Sequence, residues 1–321
     1  MISKNTKKSA IIIGSGFGGI GSAAILAKAG YEVTVLEKNE MVGGRATVFE
    51  ARKQKNGAYK RFDSLSKNLN KTGNDGFRFD RGPSWYLMPD VFEHFYEILG
   101  EDINKQLQLK RLSPSYRVFY KDESEHSQVD IYSDLKKDLP TLEKIEAGAG
   151  DQMKKYLDKA GFQYEIAKDR FMYKNYDRLR DLFTVEVVRD GTKLSVFKTM
   201  NKYVEGYFKT HQLQKIMQYP LVFLGSSPYN TPALYNIMSH IDFNMGVFYP
   251  QGGLYAVTES LQSVAKKNGA KFKVNSPVKQ ILVRNNKACG VVLKNGTKLE
   301  ADIVISNADI HHTEQKLLAP E

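Results

Sequence analysis

With 321 residues, 41% of them hydrophobic and 26% charged, the chain has the composition of a soluble globular protein large enough for two domains. Its single cysteine, Cys289, excludes an intrachain disulfide framework and any Cys-x-x-Cys pair, and suits a reducing cytosol. The net charge of +11 favours anionic partners, but Lys and Arg are scattered and no nucleic-acid motif accompanies them, so a membrane face or simple solubility is expected rather than nucleic acid.

The first eight residues, Met1 to Lys8, are a polar lead-in, and the apolar run Ile11-Ile12-Ile13 that follows stops at Gly14, unlike a signal-peptide core. No stretch approaches the roughly eighteen apolar residues of a spanning helix, so any membrane contact is expected to be peripheral. Ser9 to Ile13 reads as a buried parallel strand because its β-branched run does not alternate. Gly14-Ser15-Gly16-Phe17-Gly18-Gly19 then supplies Gly-x-Gly-x-x-Gly. A helix is expected from about Gly18 to Ala29, with Ile20, Ala23, Ala24 and Ala27 toward the sheet and Gly30 as its left-handed cap. Tyr31 to Leu36 reads as a second strand with Glu37 at its tip.

This order has a physical reading. Gly14 permits a tight turn, Gly16 lets a diphosphate approach the backbone, and Gly19 lets helix and strand pack closely. The helix N-terminus offers unpaired N–H groups to phosphate. Glu37, 18 residues past Gly19, is placed to accept both ribose hydroxyls and to disfavour a 2′-phosphate. Gly-rich turns without a ligand are common; strand, motif, helix, strand and acid in sequence point to a dinucleotide.

After Glu37 the chain continues Lys38-Asn39-Glu40-Met41-Val42-Gly43-Gly44-Arg45. This Glu-x5-Gly-Gly-Arg extension resembles the signature of the flavin amine oxidase and carotenoid desaturase superfamily. A second match, Phe77 to Phe92, resembles the segment by which bacterial phytoene desaturases place a turn, here Gly82-Pro83-Ser84-Trp85, close to the flavin ring. Ser113 to Val118, Phe223 to Tyr235 and Tyr249-Pro250-Gln251-Gly252-Gly253-Leu254 resemble later segments of the same family, the last opening a helix to about Lys267. The resemblance runs from Ala10 to Asp309.

The resemblance implies an α/β protein: a Rossmann-like FAD-binding domain with a parallel sheet and a β-ribbon, from residues 1–89 and 246–321, and an inserted α+β substrate domain over 90–245. FAD is the implied cofactor. The residues implied to hold it are Gly14, Ser15, Gly16, Gly18, Gly19, Glu37, Lys38, Gly44, Arg45, Gly82, Pro83 and Ser84, with the backbone of Val278 at the adenine edge. The implied chemistry is desaturation of a long apolar polyene such as phytoene, with quinone or oxygen as electron acceptor and the protein on the inner face of the cell membrane. A hydroxycarotenoid 3,4-desaturase, an amine oxidoreductase and a non-catalytic flavoprotein scaffold are the alternatives. No residue is singled out as catalytic, and the six histidines show no spacing that compels a metal.

Further along the chain, the Lys/Asn-rich segment from Arg52 to Gly76 reads as an inserted surface loop, basic enough to reach lipid head groups. Val91, Phe92, Phe95, Ile98 and Leu99 form one apolar helix face, and Asp151 to Phe183 reads as a charged amphipathic helical stretch. Tyr203, Tyr207, Phe208 and Leu221 to Leu224 are candidates for core or channel lining. Val278 to Arg284 and Ala288 to Leu293 read as a ribbon, with a hairpin at Asn295-Gly296, and Cys289 as a small core residue. Ala301 to Ala308 reads as a last buried strand with a polar tip. The chain ends at Glu321, whereas relatives continue, so a final flavin-contacting turn and helix are expected to be absent.

Overall fold

The computed structural model describes residues 7–65, 76–121, 127–178 and 197–318, together with 180, 181, 184, 189, 191, 194 and 195. The chain divides into two compact units, one of Met1–Tyr86, Asp90–Lys110 and Tyr249–Glu321, the other of Leu87–Pro89 and Arg111–Phe248. The boundary expected at residue 90 thus falls at 110. The reason is a buried tether: Tyr96, fully enclosed, bonds through its hydroxyl to Ser260 Oγ at 2.6 Å and fixes its helix within the first unit.

The first unit carries β1 (Ser9–Ile13), α1 (Phe17–Lys28), β2 (Glu32–Leu36), β3 (Thr47–Lys53), β4 (Tyr59–Phe62), β5 (Gly76–Arg81) and α2 (Pro89–Leu99), the first residue of α2 excepted. Strands β6 (Leu109–Arg111), β7 (Tyr116–Phe119), β8 (Gln128–Ile131) and β9 (Phe248–Pro250) lead into, through and out of the second unit. The first unit then resumes with β10 (Lys271–Lys273), β11 (Val278–Arg284), β12 (Lys287–Leu293), β13 (Lys298–Glu300) and β14 (Ile303–Ser306).

The central sheet has the order β10-β2-β1-β14 and is parallel throughout, Ala10 standing opposite both Val33 and Ile303. Both faces of such a sheet are covered, which is why β1 is Ser-Ala-Ile-Ile-Ile rather than an alternating sequence. The small residues Gly19, Ala23, Ala24 and Ala27, with Ile20, form the buried face of α1 and let it approach closely. Gly30, at φ +92°, receives the chain as it leaves the helix. The β-ribbon is the antiparallel set β11-β12-β13. Its first turn, Asn285-Asn286, has positive φ at both residues, as a two-residue hairpin of right-handed twist requires. Ile11, Ile13, Leu36, Ile281, Val291 and Leu293 form one core beneath sheet and ribbon. Cys289, expected as a core residue, is only half-buried in β12 and does not belong to this core, its thiol donating to Leu282 O at 3.5 Å.

The loop expected from Arg52 to Gly76 is corrected by the structure. Residues 47–62 and 76–81 form a three-stranded antiparallel sheet, β4-β3-β5, and residues 66–75 lie outside the described residues. On one face Phe49 stacks on Phe79, ring centroids 5.1 Å apart, with the Arg61 guanidinium 4.4 Å over Phe49. On the other, Glu50 is fully buried between Arg52 and Arg78, at 2.9 and 2.8 Å. Within the segment whose Lys/Asn-rich composition suggested a surface loop, Arg52 instead pairs with a buried carboxylate, and Arg52 and Arg61 cover aromatic rings.

The second unit is α+β. Strands β7 and β8 pair antiparallel, Tyr116 opposite Ile131, and helices Leu135–Ile145, Ala149–Ile166, Met200–Glu205 and His211–Gln218 surround a core that includes Ile131, Met153, Tyr156, Phe208 and Ile216. Tyr203 and Phe208 belong to that core, whereas Val222, Phe223 and Leu224 are exposed. The helix expected to reach Phe183 ends earlier: Ala149–Ile166 continues as a wider turn to Met172, and most of 179–196 lies outside the described residues.

Candidate functional site

The Gly-rich segment links β1 to α1 at the carboxyl end of the parallel sheet. Gly14 has φ +91° and donates its N–H to Leu36 O at 2.8 Å. A Cβ on Gly19 would stand 2.1 Å from Gly14 O, so helix and turn touch where only glycine fits. The helix begins with Ile20 N–H bonded to Gly16 O at 2.9 Å, which leaves the preceding amides without intrahelical partners at the positive end of the dipole.

Glu37 is 4% exposed and is bound into this turn. Its Oε2 accepts from Ser15 N–H at 2.9 Å and Ser15 Oγ at 2.6 Å, and its Oε1 from Asn39 N–H at 3.0 Å. A carboxylate offers about four acceptor sites, so three protein donors leave capacity for about one more. The backbone of Glu37 is fixed as well, its N–H to Lys273 O at 2.9 Å and its carbonyl to Ser276 N–H at 2.7 Å. Val278, two residues after Ser276, opens β11 beside this point.

The second and third turns close on the first. Gly43 N–H donates to Ser15 O at 2.8 Å, and a Cβ on Gly44 would stand 3.1 Å from Gly16 Cα. Gly82, at φ +98°, packs so tightly that a Cβ would lie 2.2 Å from Arg45 O. Asp80 braces the third turn: it accepts from the Tyr249 hydroxyl and from Tyr255 N–H at 3.4 Å, and crowds Gly253. The side chains of Lys38, Arg45 and Ser84 are exposed and Pro83 is half-buried. Gly14 to Gly19, Glu37, Gly43 to Arg45 and Gly82 therefore lie along one run of neighbouring turns, whereas Lys38, Pro83, Ser84 and Val278 adjoin it only through their neighbours in sequence.

Three residues of this neighbourhood were not singled out from sequence. Asp80 had a signal, its place two residues before Gly82. Asn307 had only its position at a polar strand tip. Tyr86 lay inside the second match with nothing to mark its burial: it is 2% exposed, packs on Phe92 with centroids 4.6 Å apart, and its hydroxyl has no hydrogen-bond partner among the described residues. Burial pushes the Tyr86 hydroxyl well above the usual tyrosine range.

The second unit holds a buried acidic cluster of its own. Asp242 accepts from the Tyr116 hydroxyl at 2.6 Å and Ser133 Oγ at 3.0 Å, and Ser133 Oγ lies 2.7 Å from Ser115 Oγ. Asp138 accepts from the N–H groups of Tyr132 and Asp134 at 2.8 and 3.3 Å. Burial pushes both carboxyl groups up to about 6, and burial together with Asp242 drives the Tyr116 hydroxyl far above its usual range.

The first-unit turns form a cradle that side chains would fill, with amides directed into it and an acid at the tip of the neighbouring strand. That arrangement suits the ADP half of a dinucleotide, and the parallel sheet with its antiparallel ribbon defines the FAD-binding α/β class. The chain belongs to the family described as flavin containing amine oxidoreductase, which matches residues 17–321. FAD is its cofactor. The chain is 40% identical over 308 residues to a carotenoid 3,4-desaturase of Haloarcula japonica, covering 96% of this chain and 57% of that protein. It is 32% identical over 311 residues to a zeta-carotene-forming phytoene desaturase of Myxococcus xanthus, covering 97% and 55%. A solved oxidoreductase from Methanosarcina mazei shares the fold at a TM-score of 0.57 and 19% identity, over 96% of this chain and 61% of that one. The chain thus spans a little over half the length of these curated relatives.

Proposed function

We propose that this chain is part of an FAD-dependent oxidoreductase that introduces conjugated double bonds into a carotenoid precursor such as phytoene. The observation that carries the reading is the identity with carotenoid desaturases across 96–97% of the chain, together with the cradle that FAD's ADP half would occupy. When bound, FAD supplies the hydride acceptor for oxidation of an allylic carbon.

The chain's own residues bind and orient. Gly14, Ser15, Gly16, Gly18 and Gly19 present backbone to the diphosphate. Glu37 holds that turn through Ser15 and keeps one acceptor site for a ribose hydroxyl. Gly44, Arg45, Gly82, Pro83 and Ser84 extend the cradle from the diphosphate toward the ring, and Lys38 with the Val278 backbone flanks the nucleoside end. Asp80 fixes the third turn. A hydrocarbon offers no polar handle, so selectivity rests on the shape and length of an apolar channel. No side chain is assigned as base.

A carotenoid 3,4-desaturase is the second reading, favoured by the 40% identity to the Haloarcula protein. Membrane contact at the inner face, with a quinone or oxygen as final acceptor, completes the reading. It is supported by the net charge of +11 and by the insolubility of such substrates in water. Among the described residues no helix is long and apolar enough to cross a membrane.

The test is anaerobic mixing of the full-length holoprotein with liposomes carrying phytoene or, separately, a carotenoid bearing saturated 3,4-bonds. Flavin bleaching with new long-wavelength polyene absorbance identifies the substrate. Bleaching by neither, with flavin bound, would favour a non-catalytic flavoprotein.

A further inference from the structure

Asn307 follows β14, and its N–H donates to Ile13 O at 2.8 Å, which anchors it beside the last residue of β1. Its side chain lies across the Gly-rich turn. A Cβ on Gly18 would stand 2.6 Å from Asn307 Oδ1, and Cβ atoms on Gly16 and Gly19 would each stand 3.1 Å from Nδ2. The amide therefore stands over two of the three motif glycines and over Gly18 between them, where any side chain on Gly18 would collide with it. The residue is exposed, and no hydrogen bond to its amide occurs among the described residues.

A residue used only as packing over a glycine turn would need no polar end there. Asparagine brings two N–H donors and one acceptor. These lie at the mouth of the cradle, next to the unpaired amides of α1, where an anion is favoured and a carboxylate side chain would repel it. We propose that Asn307 is a diphosphate-binding residue, its side-chain Nδ2 donating to FAD's diphosphate in concert with the first amides of α1. The proposal rests on the assignment of this cradle to FAD and extends it to a side chain contributed from a distant part of the sequence. The donor is neutral, so it adds a directed hydrogen bond to phosphate without a second cation at the exposed mouth.

The experiment uses the full-length protein stripped of flavin, with Asn307→Ala and the nearly isosteric Asn307→Asp. Affinities for FAD, ADP and riboflavin are measured by fluorescence and calorimetry, alongside the melting temperature of each apoprotein. Loss of one hydrogen bond to a charged group weakens binding roughly ten- to a hundredfold. Asn307→Ala is expected to lose this for both FAD and ADP, and Asn307→Asp to lose more, while riboflavin binding and apoprotein melting stay at wild-type values. Wild-type FAD and ADP affinity in both variants would overturn the role of Asn307 and leave the FAD site intact. The role is equally overturned if FAD binding weakens while ADP binding does not, or if the apoproteins melt earlier and ligand affinities are unchanged. Failure of the wild-type protein to bind FAD or ADP would overturn the site and the proposal together.

Discussion

Replacing Asp242 by Asn should make the protein more stable at neutral pH and change little in acid. The buried carboxyl rises from 3.8 to about 6 on folding, chiefly by burial and only partly offset by the Tyr116 and Ser133 hydroxyls. A raised acid pKa means that the folded state resists the charge. Asp242 therefore costs nothing below about pH 4, costs progressively more as pH climbs through 6, and carries its full cost above that. Its magnitude is roughly 3 kcal/mol, from about 1.4 kcal/mol per pKa unit. Asparagine removes the charge and keeps the network: its oxygen accepts from Tyr116, and its amide donates to Ser133 Oγ, which turns its own proton to Ser115 Oγ, 2.7 Å away. Urea unfolding of wild type and Asp242→Asn, each at about pH 4 and about pH 8, reads the difference directly. The variant should gain roughly 2–3 kcal/mol over wild type between the two conditions. A difference that stays constant with pH, or that favours wild type more at high pH, would refute the idea that Asp242 is buried as a costly charge.

Glu37→Gln should cost about 2–3 kcal/mol of apoprotein stability, since one of three charge-assisted bonds is lost and the other two become neutral. It should also lower FAD affinity; thermal melts and flavin titration check the two effects separately. Gly19→Ala forces a methyl to within 2.1 Å of Gly14 O and should destabilise by about 3 kcal/mol or more, read as a lower denaturant midpoint at constant slope. Tyr86→Phe removes a buried hydroxyl that lacks a partner among the described residues and should leave stability unchanged or raise it by about 1 kcal/mol. A loss of that size would show that the hydroxyl has a partner worth keeping.

The parts of the site legible in sequence were those whose geometry is local. Gly14 to Gly19, the Ala face of α1 and Glu37 are set by a helix period and two adjacent strands, and they lie where the pattern put them. The hairpin at 47–62 was hidden because its alternation is broken by Glu50, a charge on the buried face. Nothing in sequence reveals that Arg52 and Arg78 neutralise it from either side. Tyr96 escaped for a related reason: a hydroxyl that finds Ser260, 164 residues away, can be enclosed where a polar tip suggests the surface. Asn307 was legible only as a polar residue after a strand, because its value depends on β14 lying against β1. The charged composition of 52–76 pointed to solvent on average while individual arginines lay over Phe49 and Phe62.

One flank of the strand made first waits for a partner made far later. Ile303 pairs with Ala10, and Ser9 bonds to Asp302 across a sequence separation of 293 residues, so on the ribosome β1 keeps an open edge until that whole stretch has emerged. Closing so distant a pair carries a loop-entropy cost that local turns do not, and it slows assembly. Prosthetic-group loading is thereby postponed: a nascent chain that already contains the first βαβ unit still presents half a nest, with a bare strand flank exposed to aggregation in the meantime.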